Sequence, residues 1–143
     1  MKRLNQFINL SRIERGLLLS ALFHLIAIRI GLWTLSLEEL VKHVQTLTVS
    51  ETFRISRPEK IAWAVRVVGR YVPGGSNCLA QALTLQSMLA RAGYPSQLRI
   101  GVAKDMDGRF TAHAWVEFEG KIMIGKEGVS RLTVLPPLEL QRQ

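Results

Sequence analysis

The chain has a single cysteine, Cys78, and it stands where a breaker loop gives way to an apolar run. Pro73-Gly74-Gly75-Ser76-Asn77 followed by Cys78-Leu79-Ala80-Gln81-Ala82-Leu83 predicts a helix start, with Ser76 or Asn77 as the capping residue. A helix N-terminus carries partial positive charge and N–H groups without intrahelical partners. A thiol placed there is expected to ionise more easily, and an oxyanion forming beside it meets backbone donors. Thirty-five residues further on, His113 falls in the middle of the alternating stretch Phe110 to Phe118. Cysteine at a helix start and histidine on a strand are the pair needed for attack by a thiolate on a carbonyl. Each residue alone has a plainer reading. A lone cysteine is usually a small buried hydrophobe, and a strand histidine is usually structural. Only the pair points to catalysis.

The elements that must position this pair can be read from pattern. The helix opened at Cys78 runs to about Ala92, apolar on most sides, with Gly93 as a left-handed stop. The period then changes to two. Strands are expected at Gln97 to Ala103, Phe110 to Phe118, Lys121 to Ile124 and Arg131 to Leu135. Asp105 to Gly108 is a turn, and Glu119-Gly120 signals a two-residue hairpin. Upstream, Ser36-Leu37-Glu38-Glu39 is a capping box opening a helix with Leu37, Leu40, Val41 and Val44 on one face. Thr46 to Arg57 reads as a polar, basic connector. Pro58 suits a first helical position, and its helix turns Ile61, Val65 and Val68 inward with Lys60, Arg66 and Arg70 outward. Helices first and an antiparallel sheet second is an α+β order, with the Cys78 helix packed on the sheet. The expected division is an amino-terminal helical segment, residues 1–57, and a core, residues 58–143.

At 143 residues, 48% hydrophobic and 21% charged, the composition is that of one globular domain. A single cysteine excludes an intramolecular disulfide, and the spread of three histidines offers no close-set metal ligands. Neither a metal nor another cofactor is called for. The net charge of +8 favours acidic partners. Leu17 to Trp33 is the longest apolar run, but it is short for a membrane span and Arg29 interrupts it. No small-x-small cleavage site follows. The expectation is a core helix, without membrane contact. Its stripe of Gly16, Ser20, His24, Ala27 and Gly31 is the candidate seam for a docking helix. Arg66 and Arg70, one turn apart, are a candidate grip on an acidic peptide against the plainer reading of a solvated face. His43 reads as structural or solvated.

From residue 61 to 137 the motifs resemble those of one family. They are Cys78-Leu-Ala-Gln-Ala-Leu-Thr-Leu-Gln-Ser-Met-Leu-Ala-Arg-Ala-Gly93, then Leu98-Arg-Ile-Gly-Val102, then Ala112-His-Ala-Trp-Val-Glu117. In this order they resemble the transglutaminase-like leader peptidases of lasso-peptide biosynthesis. The resemblance implies a stand-alone cytoplasmic peptidase half with Cys78 and His113 catalytic. It would act on a lasso precursor peptide with a separate leader-recognition protein and, downstream, an ATP-dependent cyclase. Nucleic acid is not among the implied partners. A non-catalytic scaffold of the same fold, presenting the precursor to the cyclase, is the alternative.

The family pattern often adds a carboxylate about a dozen residues after the histidine. Here that stretch reads Met123-Ile124-Gly125-Lys126-Glu127. A regular hairpin closed by Glu119-Gly120 sets Ala114 opposite Gly125 and His113 opposite Lys126. A bulge at Gly125 is the expected device that would bring Glu127 to the histidine. Glu117 is the other carboxylate on its face, and a dyad with neither is the third option. Trp115 shares that face and is either a cleft wall or core.

Overall fold

The computed structural model describes residues 9–45, 56–72, 78–104, 107–124 and 133–134. Four helices come first: α1 (Arg12–Thr34), α2 (Leu37–Gln45), α3 (Pro58–Tyr71) and α4 (Cys78–Arg91). Four strands follow: β1 (Gln97–Lys104), β2 (Phe110–Phe118), β3 (Lys121–Ile124) and β4 (Thr133–Val134). They form one antiparallel sheet in the order β3-β2-β1-β4. The fold is α+β, as the order of the patterns requires.

Helix ends follow the local chemistry. Ser36 Oγ accepts from the Glu39 N–H and the Glu39 carboxylate accepts from the Ser36 N–H, the expected capping box. A second capping box, Ser11 with Glu14, opens α1. Pro58 stands in the first turn of α3. At the end of α4 the Tyr94 N–H reaches Leu89 O and the Gly93 N–H reaches Ala90 O, a Schellman turn. Gly93 supplies the left-handed conformation, with φ 84°.

The core is a single cluster. Leu17, Leu18, Ala21, Leu25 and Ile28 of α1 meet Ile61, Ala62, Ala64, Val65 and Val68 of α3, and the buried length of α4 fills the centre. Leu98 on β1 and Ala114 and Val116 on β2 close it from the sheet side. The sequence pattern changes between residues 57 and 58, yet both segments contribute to this one core. Gly31 of α1 lies so close to α2 that a Cβ there would sit 2.6 Å from Leu40 Cδ2. Polar ties supplement the packing. Lys60 of α3 is 2.6 Å from Glu14 of α1 and holds that carboxyl below the usual carboxylate range, chiefly by its hydrogen bond. His24 is buried between α1 and α4. Its Nδ1–H donates to Ser20 O at 2.6 Å, and its Nε2 accepts from Arg91 at 3.2 Å. Burial, above all, lowers its pKa.

The seam expected for docking is overturned at two of its five positions: His24, at its centre, and Gly31, at its end, are buried in this chain's own core. The exposed face of α1 is a different one. His43 is exposed, its Nδ1 against Glu39 O one turn back on α2.

Candidate active site

Cys78 is the first residue of α4, half-buried, reduced and packed against the core. The helix behind it is fixed. Ala80, Ala82, Leu83, Leu85, Met88 and Leu89 are buried. The buried hydroxyls of Thr84 and Ser87 donate to the carbonyls of Ala80 and Leu83, both at 2.7 Å. No acidic residue stands in the first turn, so no side-chain carboxylate there offsets the positive helix end. The expected caps, Ser76 and Asn77, lie outside the described residues.

His113 lies at the middle of β2, the strand on which α4 chiefly packs. Its cross-strand partner on β1 is Gly101, which presents no side chain and leaves room beside the imidazole. Alternation decides which way the imidazole points. Ala114 and Val116 join the core filled by α4, so His113 projects with Trp115 and Glu117 from the other face of β2. The fold therefore brings Cys78 and His113 onto a packed helix and strand.

Trp115 is 1% exposed, so it is buried on its own face of β2, away from the main cluster, rather than an open cleft wall. Its indole N–H donates to Glu117 Oε1 at 3.0 Å. The other oxygen of Glu117 is 3.4 Å from Arg99 Nε, within ion-pair distance though without hydrogen-bond geometry. Both carboxylate oxygens of Glu117 are thus engaged, which argues against it as the group orienting His113. The pairing of Glu117 with Trp115 was readable only as spacing, because an i, i+2 contact on a strand looks like any two residues of one face.

The second carboxylate, Glu127, lies with Gly125 and Lys126 outside the described residues. What precedes it corrects the expected register. A regular hairpin pairs Val116 with Met123; the structure pairs Val116 with Ile124 and Glu117 with Ile122. The extra residue is Met123, so a bulge falls there, while the bulge expected at Gly125 lies outside the described residues. Met123 and Ile124 are both buried, which strict alternation forbids and a bulge allows. A bulged residue loses its ladder partner, and here Arg66 of α3 donates to the Met123 carbonyl at 3.2 Å. One of the two arginines proposed to grip a peptide is therefore engaged in holding β3 to α3. The turn below is as expected, with Glu119 at φ 51° and Gly120 at φ 77°, both left-handed as a type I′ turn demands.

Among the described residues no group of three His, Cys, Asp or Glu side chains is placed to hold a metal ion. The Transglutaminase-like superfamily profile matches residues 22–136, from the middle of α1 to just beyond β4. Searches of curated proteins and of solved structures return no match.

Proposed function

The chain belongs to the transglutaminase-like superfamily, and from that premise we propose that it is a cysteine peptidase removing the leader from a ribosomally made lasso-peptide precursor. The observation that carries the reading is Cys78 as the first residue of a buried helix packed on the strand that bears His113. In this reading the Cys78 thiolate attacks the carbonyl at the leader–core junction, and the oxyanion is received by the Cys78 N–H. His113 protonates the departing core amine. Water, deprotonated by His113, then releases the leader from the thioester. A separate leader-recognition protein delivers the precursor, and a separate ATP-dependent cyclase takes the freed core amine; both partners and a cytoplasmic setting belong to the proposal.

The test is mass spectrometry of a lasso precursor incubated with recognition protein and either wild type or Cys78→Ala. Loss of cleavage with an unchanged circular dichroism spectrum is the expected result. Full cleavage by Cys78→Ala ends the assignment. Iodoacetamide labelling of Cys78 across pH, in wild type and His113→Ala, then asks whether thiol and imidazole are coupled. Slower labelling of the variant near neutral pH is expected.

One observation favours the alternative, a non-catalytic scaffold presenting the precursor: His113 projects from the face of β2 opposite the one α4 packs on. Identical labelling of wild type and His113→Ala, with no cleavage by either, selects it.

For the third catalytic residue the proposal is Glu127. A ladder continued in the register of Val116 and Ile124 would pair position 113 with position 127 rather than 126. Glu127→Gln should slow cleavage by about tenfold or more, and Glu117→Gln should change it little. The reverse ranking moves the role to Glu117, and no effect from either leaves a dyad.

A further inference from the structure

The outer face of α1 is apolar and uncovered. Leu19, Phe23, Ile26, Ile30 and Trp33 are all exposed, Phe23 at 69% and Trp33 at 89%. Their spacings of four, three, four and three residues keep them on one stripe along the helix. Ile26, Ile30 and Trp33 line a shallow groove with Arg29. By length and composition α1 could cross a membrane. Its other face, however, is built into the protein core through Leu17, Leu18, Ala21, Leu25 and Ile28. A helix so anchored can lie on an apolar surface and cannot pass through one while the fold is intact.

The charges along the stripe decide between occupants. Pairing with a second copy would flank the seam with Arg15, Leu22 and Arg29 on one side and Ser20, Ala27 and Thr34 on the other. That flank offers no carboxylate to receive the arginines, and two chains of net charge +8 repel. The one acid of α1, Glu14, is turned to Lys60 of α3. An anionic lipid surface suits both features at once: it takes the apolar side chains into its interfacial layer and attracts Arg12, Arg15 and Arg29 at the rim. Trp33, at the end of the stripe, is a residue type that favours this layer. We propose that α1 docks this protein, by its Leu19–Trp33 face, onto the surface of a membrane containing anionic lipid. The expectation of a helix without membrane contact rested on the short run and on Arg29, which bear on crossing a bilayer rather than on lying along its surface.

The experiment uses the full chain with phosphatidylcholine vesicles prepared with and without phosphatidylglycerol, read by co-sedimentation and by a blue shift of tryptophan emission. Binding is expected only to the anionic vesicles, and it should weaken as salt is raised. Phe23→Ser/Ile30→Ser and, separately, Trp33→Ala should each keep the wild-type melting curve. The double variant should bind at least about tenfold more weakly. Absence of binding by wild type, or equal binding by the double variant, overturns the proposal. So does a dimer by light scattering that the double variant dissociates, which gives the face to a second copy. Resistance of the bound protein to carbonate extraction also overturns it, in favour of a spanning helix.

Discussion

Two helices of this protein are apolar on most sides, α1 and α4, and they meet different fates. α4 is enclosed by α1, α3 and the sheet, with polar Thr84, Gln86 and Ser87 buried along with its leucines. α1 is covered on one side and carries large side chains into solvent on the other. Composition does not separate them; position does. α4 sits between two layers, whereas α1 is an outer member of the helical layer, and an outer helix has only one face to bury. The comparison teaches that an apolar face on an outer helix is information about a surface, while the same residues in a central helix are information about stability.

The largest test uses one substitution at three places. Leu85→Ala in α4 and Leu25→Ala on the inner face of α1 should each cost about 2–5 kcal/mol, because both side chains are fully buried. Leu19→Ala on the outer face should stay within about 0.5 kcal/mol. Urea melts measure all three, and a large loss at Leu19 would mean that α1 is not two-sided.

A smaller effect concerns how α1 is held at its start. Ser11→Ala removes the capping box and should cost about 1 kcal/mol. Equal stability of variant and wild type would show that packing alone fixes that end.

The smallest test at neutral pH grows on acidification. His24 joins the two helices, and its folded pKa lies below the ordinary 6.5. The unfolded chain therefore takes up a proton before the folded chain does. Its contribution to stability is present above pH 6.5 and is lost as pH falls through the folded value. Wild type should lose more stability than His24→Gln between neutral and mildly acid pH; parallel curves for the two proteins would remove His24 from the account.

Much of this was legible from the chain. The strand Phe110 to Phe118, the stop at Gly93, the turn at Glu119-Gly120 and the start of α4 at Cys78 follow from residues within a few positions of each other, where turn and capping chemistry act. The bulge at Met123 was not, because the residue that binds its carbonyl, Arg66, lies on a helix far away in sequence, and a period-two pattern carries no trace of that. The direction of His113 failed to emerge for a related reason. Alternation tells which residues share a face, but only packing tells which face the helices take. The first helix misled in the opposite way: its small residues looked like an open seam because Leu40, which fills the space at Gly31, comes from the next helix. Ser11-Arg12-Ile13-Glu14 carries the same capping-box spacing as Ser36-Leu37-Glu38-Glu39 and is equally readable from the chain.

The contact between Arg66 and Met123 has a consequence for how this sheet tolerates change. A strand is read in a frame of two, and one extra letter exchanges inside for outside in everything beyond it. Met123 is such a letter, and the carbonyl it leaves unmatched is the place where Arg66 keeps the count. Losing Met123 itself would close the ladder with Ile124 still opposite Val116, so the frame beyond would survive. Losing Arg66 would free the spare residue to move along the strand, and each step would turn another side chain over. Deleting Met123 would thus keep the pairing frame beyond it, whereas replacing Arg66, fifty-seven positions earlier, would remove the hydrogen bond that marks where the extra residue sits.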